Sequence, residues 1–433
     1  MVRLIYNFLW PVGLILFLPG YVMKMLRRGG YRRNFGQRLG LYSSEVLRRR
    51  RGSRPIWIHA VSVGEVRLGI KLATQLEKLG PGRRFILTTT TTTGYMLAEK
   101  LAFANMDVLY SPLDFWPVMR RAWRVIDPKC VVLIEAEVWP NLVSEAVRRR
   151  VPVVLANARL SPRSESRFRR FRAVIGPFLR KLELVCVSTS EDAARWTCLG
   201  VAPDRIKIVG SIKYDTEEQN VVSSEPRQVL EKLGVDLSRP VLFGGSTHHG
   251  EEEALAEVFC SLRQQYPSLF LVIAPRHVER AGEVEEQLRK CGLNVVRRSN
   301  WLNGAEKIDA LLLDTTGELG DWYSVASAVF IGKSLTAHGG QNPVEAINAG
   351  KPVIFGPHME NFSQLAGELV ATGAALRVET AEQMADTCSQ LLNDSALREQ
   401  MGAAAWAVIR RHLGATQRTA ELIAETLRIR GKS

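Results

Sequence analysis

The stretch Pro55-Ile-Trp-Ile-His-Ala-Val-Ser-Val-Gly-Glu65 decides the fold. Its first five residues form a short apolar run without polar alternation, the pattern of a strand covered on both faces in a parallel sheet. A polar turn ending in Gly64 and Glu65 follows, and Leu68–Leu79 then repeats with helical periodicity. Strand, glycine turn and helix make half of a βαβ unit.

The same unit recurs along the chain. Candidate strands in the first half are Pro55–His59, Phe85–Thr89, Asp107–Tyr110, Cys130–Ile134, Pro152–Leu155, Leu184–Val187 and Ile206–Val209, with helical patterns between them such as Trp116–Ile126. The apolar rhythm lapses over Thr216–Arg227 and resumes with Val241–Phe243, Phe270–Ile273, Asn294–Val296, Ala310–Leu313, Ala328–Ile331, Val353–Phe355 and Ala375–Val378. Helical patterns over Glu382–Leu392, Leu397–His412 and Thr416–Ile429 end the chain. A length of 433 residues suits two or three domains. The expected class is α/β, with two doubly wound Rossmann-like domains at 24–215 and 228–410 and a linker at 216–227. Residues 411–433 are expected to pack back as a helix on the first domain.

Composition narrows the function classes. Hydrophobic residues at 46% and charged residues at 24% exclude a disordered or fibrous chain. Six cysteines without a CxxC pair exclude a disulfide scaffold and a zinc ribbon. The net charge of +14 is unevenly placed: residues 1–54 carry +11 and residues 148–181 carry +10, which leaves the remainder at −7. Two basic islands on an acidic body need a local cause. They lack the interleaved aromatics of RNA-binding modules, so no nucleic-acid partner is expected.

From Leu4 to Met23 there is no charged residue. Such a helix spans about 30 Å, the thickness of a bilayer core. No small-residue cleavage site follows it, and Lys24, Arg27, Arg28, Arg32, Arg33 and Arg38 do. That order favours a retained anchor over residues 1–23, with the bulk of the chain on the cytoplasmic side. Asn7, Pro11 and Pro19 interrupt a spanning helix, so a single-pass and an interfacial anchor both stay open.

Open α/β sheets bind ligands where strands end and helices begin, and the polar clusters fall at those points. Glu65 opens a helix after the first strand, where it reads either as a catalytic carboxylate or as a helix-capping acid. Glu135-Ala-Glu137-Val-Trp-Pro-Asn141 leaves the fourth strand, and Gly210-Ser-Ile-Lys213-Tyr-Asp215 the seventh. Gly244-Gly-Ser-Thr-His-His-Gly-Glu-Glu252 is a glycine loop whose amides suit an anion, with Ser246 and Thr247 at its centre. In Pro275-Arg276-His277, the arginine suits a phosphate or carboxylate. Thr316-Gly317-Glu318-Leu319 opens a further helix. Gly339-Gly-Gln-Asn342-Pro343-Val344-Glu345 puts a carboxylate in a first helical turn, suited to a ribose diol beside a phosphate. The histidines show no metal-ligand spacing, and no metal is expected.

These strings carry a resemblance. HAVSVGE, EAEVWPN, NARLSPRS, GSIKYD, GSTHHGEE, PRH, TTGEL and GGQNPVEAINAGKPVIFGP match, in order and spacing, the 3-deoxy-D-manno-octulosonic acid (Kdo) transferases of lipopolysaccharide synthesis. The resemblance covers essentially the whole chain. It implies a glycosyltransferase-B fold, with an acceptor-binding domain at 24–215 and a CMP-sugar-binding domain at 228–410. The implied reaction moves Kdo from CMP-Kdo, with inversion, to a lipid A precursor at the cytoplasmic face of the inner membrane. It implies Glu65 as catalytic base, with Glu135 and Lys213 stabilising the transition state. CMP-Kdo is expected at Ser246, Thr247, Pro275, Arg276, His277, Gly317, Glu318, Leu319, Asn342, Pro343, Val344 and Glu345. Arg159, Arg163, Arg167, Arg169, Arg170 and Arg172 are expected to face the acceptor and the anionic membrane. CMP-Kdo is the donor substrate, and no cofactor is implied. Another nucleotide-sugar transferase, or a non-hydrolysing epimerase of the same fold, is the alternative.

Overall fold

The computed structural model describes residues 3–8, 10, 20, 23, 34–44, 46, 52, 54–160, 162–215, 223–300 and 308–431, without the side chains of residues 162, 163 and 431. The chain forms two compact units, Met1–Asp215 with His412–Ser433, and Thr216–Arg411.

The first unit holds a seven-stranded sheet: β1 Ile56–His59, β2 Phe85–Thr89, β3 Met106–Tyr110, β4 Cys130–Ile134, β5 Val153–Ala158, β6 Leu184–Val187 and β7 Ile206–Ile208. All pairings are parallel, in the order β3-β2-β1-β4-β5-β6-β7. Alternate residues of each strand enter different cores. Trp57, Val131, Leu133, Val153 and Leu155 pack with Trp123 and Trp196 on one face. Ile56, Ile58, Val132, Ile134 and Val154 pack with Leu72 and Leu76 on the other. Two buried faces explain why these strands read as unbroken apolar runs.

The last helix, Ala415–Gly431, belongs to this unit and contributes Ala420 and Ile423 to the second core. Asp215 fixes its start by accepting from Gly414 N and Thr416 N, both at 2.7 Å. A carboxylate on the first amides of a helix is favoured by both hydrogen bonding and the helix dipole.

The second unit repeats the architecture with β8 Val241–Thr247, β9 Phe270–Pro275, β10 Val295–Arg297, β11 Ala310–Leu312, β12 Ala328–Ile331, β13 Val353–Phe355 and β14 Ala375–Arg377. Its order is β10-β11-β9-β8-β12-β13-β14, again wholly parallel. β8 runs four residues past the expected Phe243, because the missing side chains of Gly244 and Gly245 leave room for Leu255 and Tyr323. Of the expected linker, 216–222 lies outside the described residues, and a helix already begins at Glu225.

Most of the expected anchor also lies outside the described residues, and no helix among those described is long and apolar enough to cross a membrane. Residues 3–8 are helical. Arg3 donates to Asn141 Oδ1 and Glu145 Oε1, both at 3.0 Å, while Asn7 exchanges side-chain bonds of 2.9 Å with Asn141. The other side leaves Leu4 and Phe8 75% and 79% exposed. This turn is therefore docked on the protein with Leu4 and Phe8 outward.

Candidate functional site

Each sheet has a central point where chain order reverses, and such switch points are where open α/β sheets form binding crevices. In the first unit it lies between β1 and β4, and in the second between β8 and β12. Glu65 follows β1 and Glu135 follows β4, so these two carboxylates flank the first switch point.

Glu65 sits three residues into the helix Val63–Lys78. Ser62 Oγ accepts from Glu65 N at 3.3 Å, while the Glu65 carboxylate accepts from Val61 N at 2.8 Å and Ser62 N at 3.3 Å. It is thus a capping acid by geometry, which was one of its two readings. The cap also aims and buries it. Burial, aided slightly by Glu135 and Glu137, raises its pKa from 4.5 to about 7. A carboxylate poised near neutrality suits proton transfer at physiological pH. His59, the last residue of β1, is a poor rival. It is 1% exposed, bonds Thr88 Oγ1 at 2.9 Å, and is held neutral by burial, with a pKa of about 4.

Glu135 adopts a left-handed backbone, φ 62°, unusual for a residue with a side chain. Strain of this kind collects at functional sites. Its charge is felt by Glu65, Glu137, Lys213 and Tyr214, so it is the hub of the cluster. Glu137 accepts from Trp139 Nε1 at 3.0 Å, giving the second acid of EAEVWPN a partner. Lys213 has its pKa lowered to about 8 by burial and by Arg159, with Glu135 opposing. Arg159, expected on the membrane side, therefore belongs with Lys213. Asn157 is a residue that the sequence did not single out. Its Oδ1 accepts from Ser211 Oγ at 3.2 Å and Ile212 N at 3.0 Å, tying the end of β5 to the loop that carries Lys213. Only its place in NARLSPRS pointed to it.

The basic stretch forms the helices Pro162–Arg170 and Arg172–Leu179. Arg167, Arg169, Arg170 and Arg172 are exposed, with Arg169 paired to Glu165 at 2.9 Å. Phe171 and Val174 are also exposed, while Phe168 turns inward against Trp196. The Arg163 side chain lies outside the described residues.

At the second switch point, one amide of the glycine loop and three of the loop after β12 converge on an acid of the protein itself, Glu251. Fully buried, its carboxylate accepts from His248 N at 2.8 Å and Lys333 N at 2.7 Å, then from Ser334 N at 2.8 Å and Leu335 N at 3.0 Å. These bonds join the loops after β8 and β12. Thr247 is committed too, its hydroxyl bonding the buried Glu252, which Arg280 pairs at 2.9 Å. Ser246, at φ 53°, stays partly exposed.

The other expected nucleotide residues ring the same sheet edge. Arg276 and His277 are exposed after β9, and Arg276 offsets the upward push that the surrounding protein gives the Glu345 carboxyl. Asn342 Oδ1 accepts from Val344 N at 3.2 Å, closing the turn in which Pro343 precedes the helix Val344–Asn348. Pro275, Pro343 and Val344 are buried. Gly317 has φ 95°, Leu319 begins a four-residue helix, and Glu318 already bonds Trp322 Nε1 at 3.1 Å and Arg298 Nε at 3.3 Å.

Comparison with known proteins gives a consistent picture. The family model of the 3-deoxy-D-manno-octulosonic-acid transferases (kdotransferases) matches residues 33–216, and that of group 1 glycosyl transferases matches residues 251–407. The chain is 33% identical over 396 residues to the 3-deoxy-D-manno-octulosonic acid transferase of Haemophilus influenzae, covering 91% of each. It is 35% identical over 382 residues to that of Bordetella pertussis, covering 86% of this chain and 87% of the relative. The UDP-GlcNAc 2-epimerase of Neisseria meningitidis shares the fold, with a TM-score of 0.56 over 86% of this chain and 99% of its own, at 14% identity.

Proposed function

The chain belongs to the 3-deoxy-D-manno-octulosonic acid transferase family and is a glycosyltransferase of lipid A–core synthesis; from that premise we propose that it transfers Kdo from CMP-Kdo to a hydroxyl of a lipid A precursor, with inversion. The observation that carries the mechanism is the Glu65 carboxyl, held by its cap and raised to about 7 beside Glu135.

A sugar hydroxyl is a weak nucleophile. As its oxygen bonds to the anomeric carbon of Kdo, the Glu65 carboxylate takes its proton. The bond from that carbon to the CMP phosphate oxygen breaks, and CMP leaves with the electron pair. Arg276 and Lys213 offset the charge that develops on phosphate and on the Kdo carboxylate. The diol of the ribose is held by Glu345 in this scheme, which takes no cofactor.

The acceptor lipid lies in a membrane, and Arg167, Arg170 and Arg172 beside exposed Phe171 and Val174 suit an anionic lipid surface. Each cation near such a surface contributes roughly 1 kcal/mol. The outward Leu4, Ile5 and Phe8 support an N-terminal anchor that begins by lying along the inner membrane, with the catalytic units on the cytoplasmic side.

The test presents a lipid A precursor in anionic vesicles with CMP-Kdo. The expected result is CMP release matched by acceptor mass gain of one or more Kdo residues, with protein co-floating on the vesicles. CMP release without a lipid product, or no release, would overturn the assignment.

A further inference from the structure

The loops that follow β12 and β13 bring together three side chains that the proposed reaction does not use. His338 lies in the first loop, His358 and Glu360 in the second. Their strands are parallel neighbours, with Ile331 beside Phe355, so both loops leave the same sheet edge. Backbone bonds stitch the loops together: His358 N donates to Ser334 O and Asn361 N to Gly339 O, both at 2.9 Å. Gly339 sits at φ 121°, with Asn361 filling the space where a side chain would stand, so this junction admits glycine.

On that platform, His338 Nδ1 and His358 Nδ1 approach the same carboxylate oxygen, Glu360 Oε1, at 3.1 and 3.4 Å. The ring centroids are 3.9 Å apart, and the three potential ligand atoms all lie within 4.8 Å of one another. A tetrahedral ion with arms of about 2.0–2.1 Å spaces its ligand atoms about 3.3 Å apart, close to the two distances from the histidines to Glu360 Oε1. The other oxygen, Glu360 Oε2, accepts from Gly339 N at 2.7 Å. Such outer bonds orient ligating carboxylates.

We propose that His338, His358 and Glu360 form a binding site for a borderline divalent cation such as Zn2+, which clasps the β12 loop to the β13 loop. Two imidazole nitrogens and one carboxylate favour such an ion over Mg2+ or Ca2+, which take oxygen ligands. The partial exposure of all three residues leaves a position for water. Positions 338, 358 and 360 follow no ligand motif; the parallel strand pair unites them.

The site needs no part of the transfer scheme, so its test is independent. Untagged full-length protein, stripped with chelator, is titrated with Zn2+ and with Mg2+ by calorimetry. One Zn2+ per chain should bind in the micromolar range or tighter, with at least about 100-fold preference over Mg2+. His338→Ala and His358→Ala should each weaken binding by tenfold or more, while His249→Ala should leave it unchanged. Co2+ should give a tetrahedral visible spectrum without a sulfur charge-transfer band, which separates this set from the cysteines in the wild-type protein itself. Absent saturable Zn2+ binding, binding that survives both histidine variants, or a thiolate band would overturn the proposal.

Discussion

Glu65 and Glu251 occupy matching places in the two units. Each follows a glycine, each opens the helix after its unit's first strand, and each sits at a switch point. Their fates differ by the number and origin of the amides they meet. An ionised carboxylate offers about four acceptor directions. Glu65 fills two of them, both from its own turn, and keeps capacity for a substrate proton. Glu251 fills all four, three from the loop after the neighbouring strand, and becomes a pin between two loops. The same residue in the same place thus serves as a reactive group or a structural one.

The largest expected effect tests the pin. Glu251→Ala orphans four amides and should lower unfolding free energy by about 3–5 kcal/mol, read as a shift in the denaturant midpoint. A loss below about 1 kcal/mol would erase the contrast. Next is Glu65→Gln, which keeps shape and should stay within about 1 kcal/mol of wild-type stability. Transfer should fall by about 100-fold or more, or about 2.7 kcal/mol in barrier. Near-normal turnover would make Glu65 a second structural acid.

The pH dependence sharpens the same point. The base acts ionised, so wild-type kcat/KM should climb about tenfold per pH unit and level off above about 7. The folded carboxyl holds its proton between 4.5 and about 7, where the unfolded chain has released it. Its contribution to stability therefore declines as pH rises through that window, and Glu65→Gln should flatten the slope. The smallest effect belongs to Ser62→Ala. Losing this half of the cap should cost about 1 kcal/mol of stability and change turnover only a few-fold. A loss of activity as large as that of Glu65→Gln would show that the cap, not the carboxylate, sets the rate.

The contrast also explains what could be read in advance. Strands such as Phe85–Thr89 and Ala328–Ile331 declare themselves because burial on both faces leaves an apolar run. β8 was read short because its terminal glycines look like a loop until Tyr323 is seen against them. Glu65, Glu135 and Lys213 were visible because each follows a strand end in a distinctive string. The role of Glu251 was hidden: its partners Lys333–Leu335 lie more than eighty residues away, and only strand order brings them near. The bond from the Thr247 hydroxyl to Glu252 was hidden as well, since nothing in GSTHHGEE shows which acid it meets. Sequence spacing shows which groups leave a sheet edge, but not which of them have already found partners.

The return of Ala415–Gly431 to the first unit has a consequence for biogenesis. One face of the first sheet is completed by Ala420 and Ile423, which are synthesised after the whole second unit. A ribosome making this protein exposes all seven strands of that sheet long before their covering helix emerges. The second unit, encoded wholly in between, holds its whole sequence earlier and is free to fold first. Completion of the unit that bears Glu65 thus follows synthesis of the whole second unit, so the two units mature in the reverse of the order in which they begin.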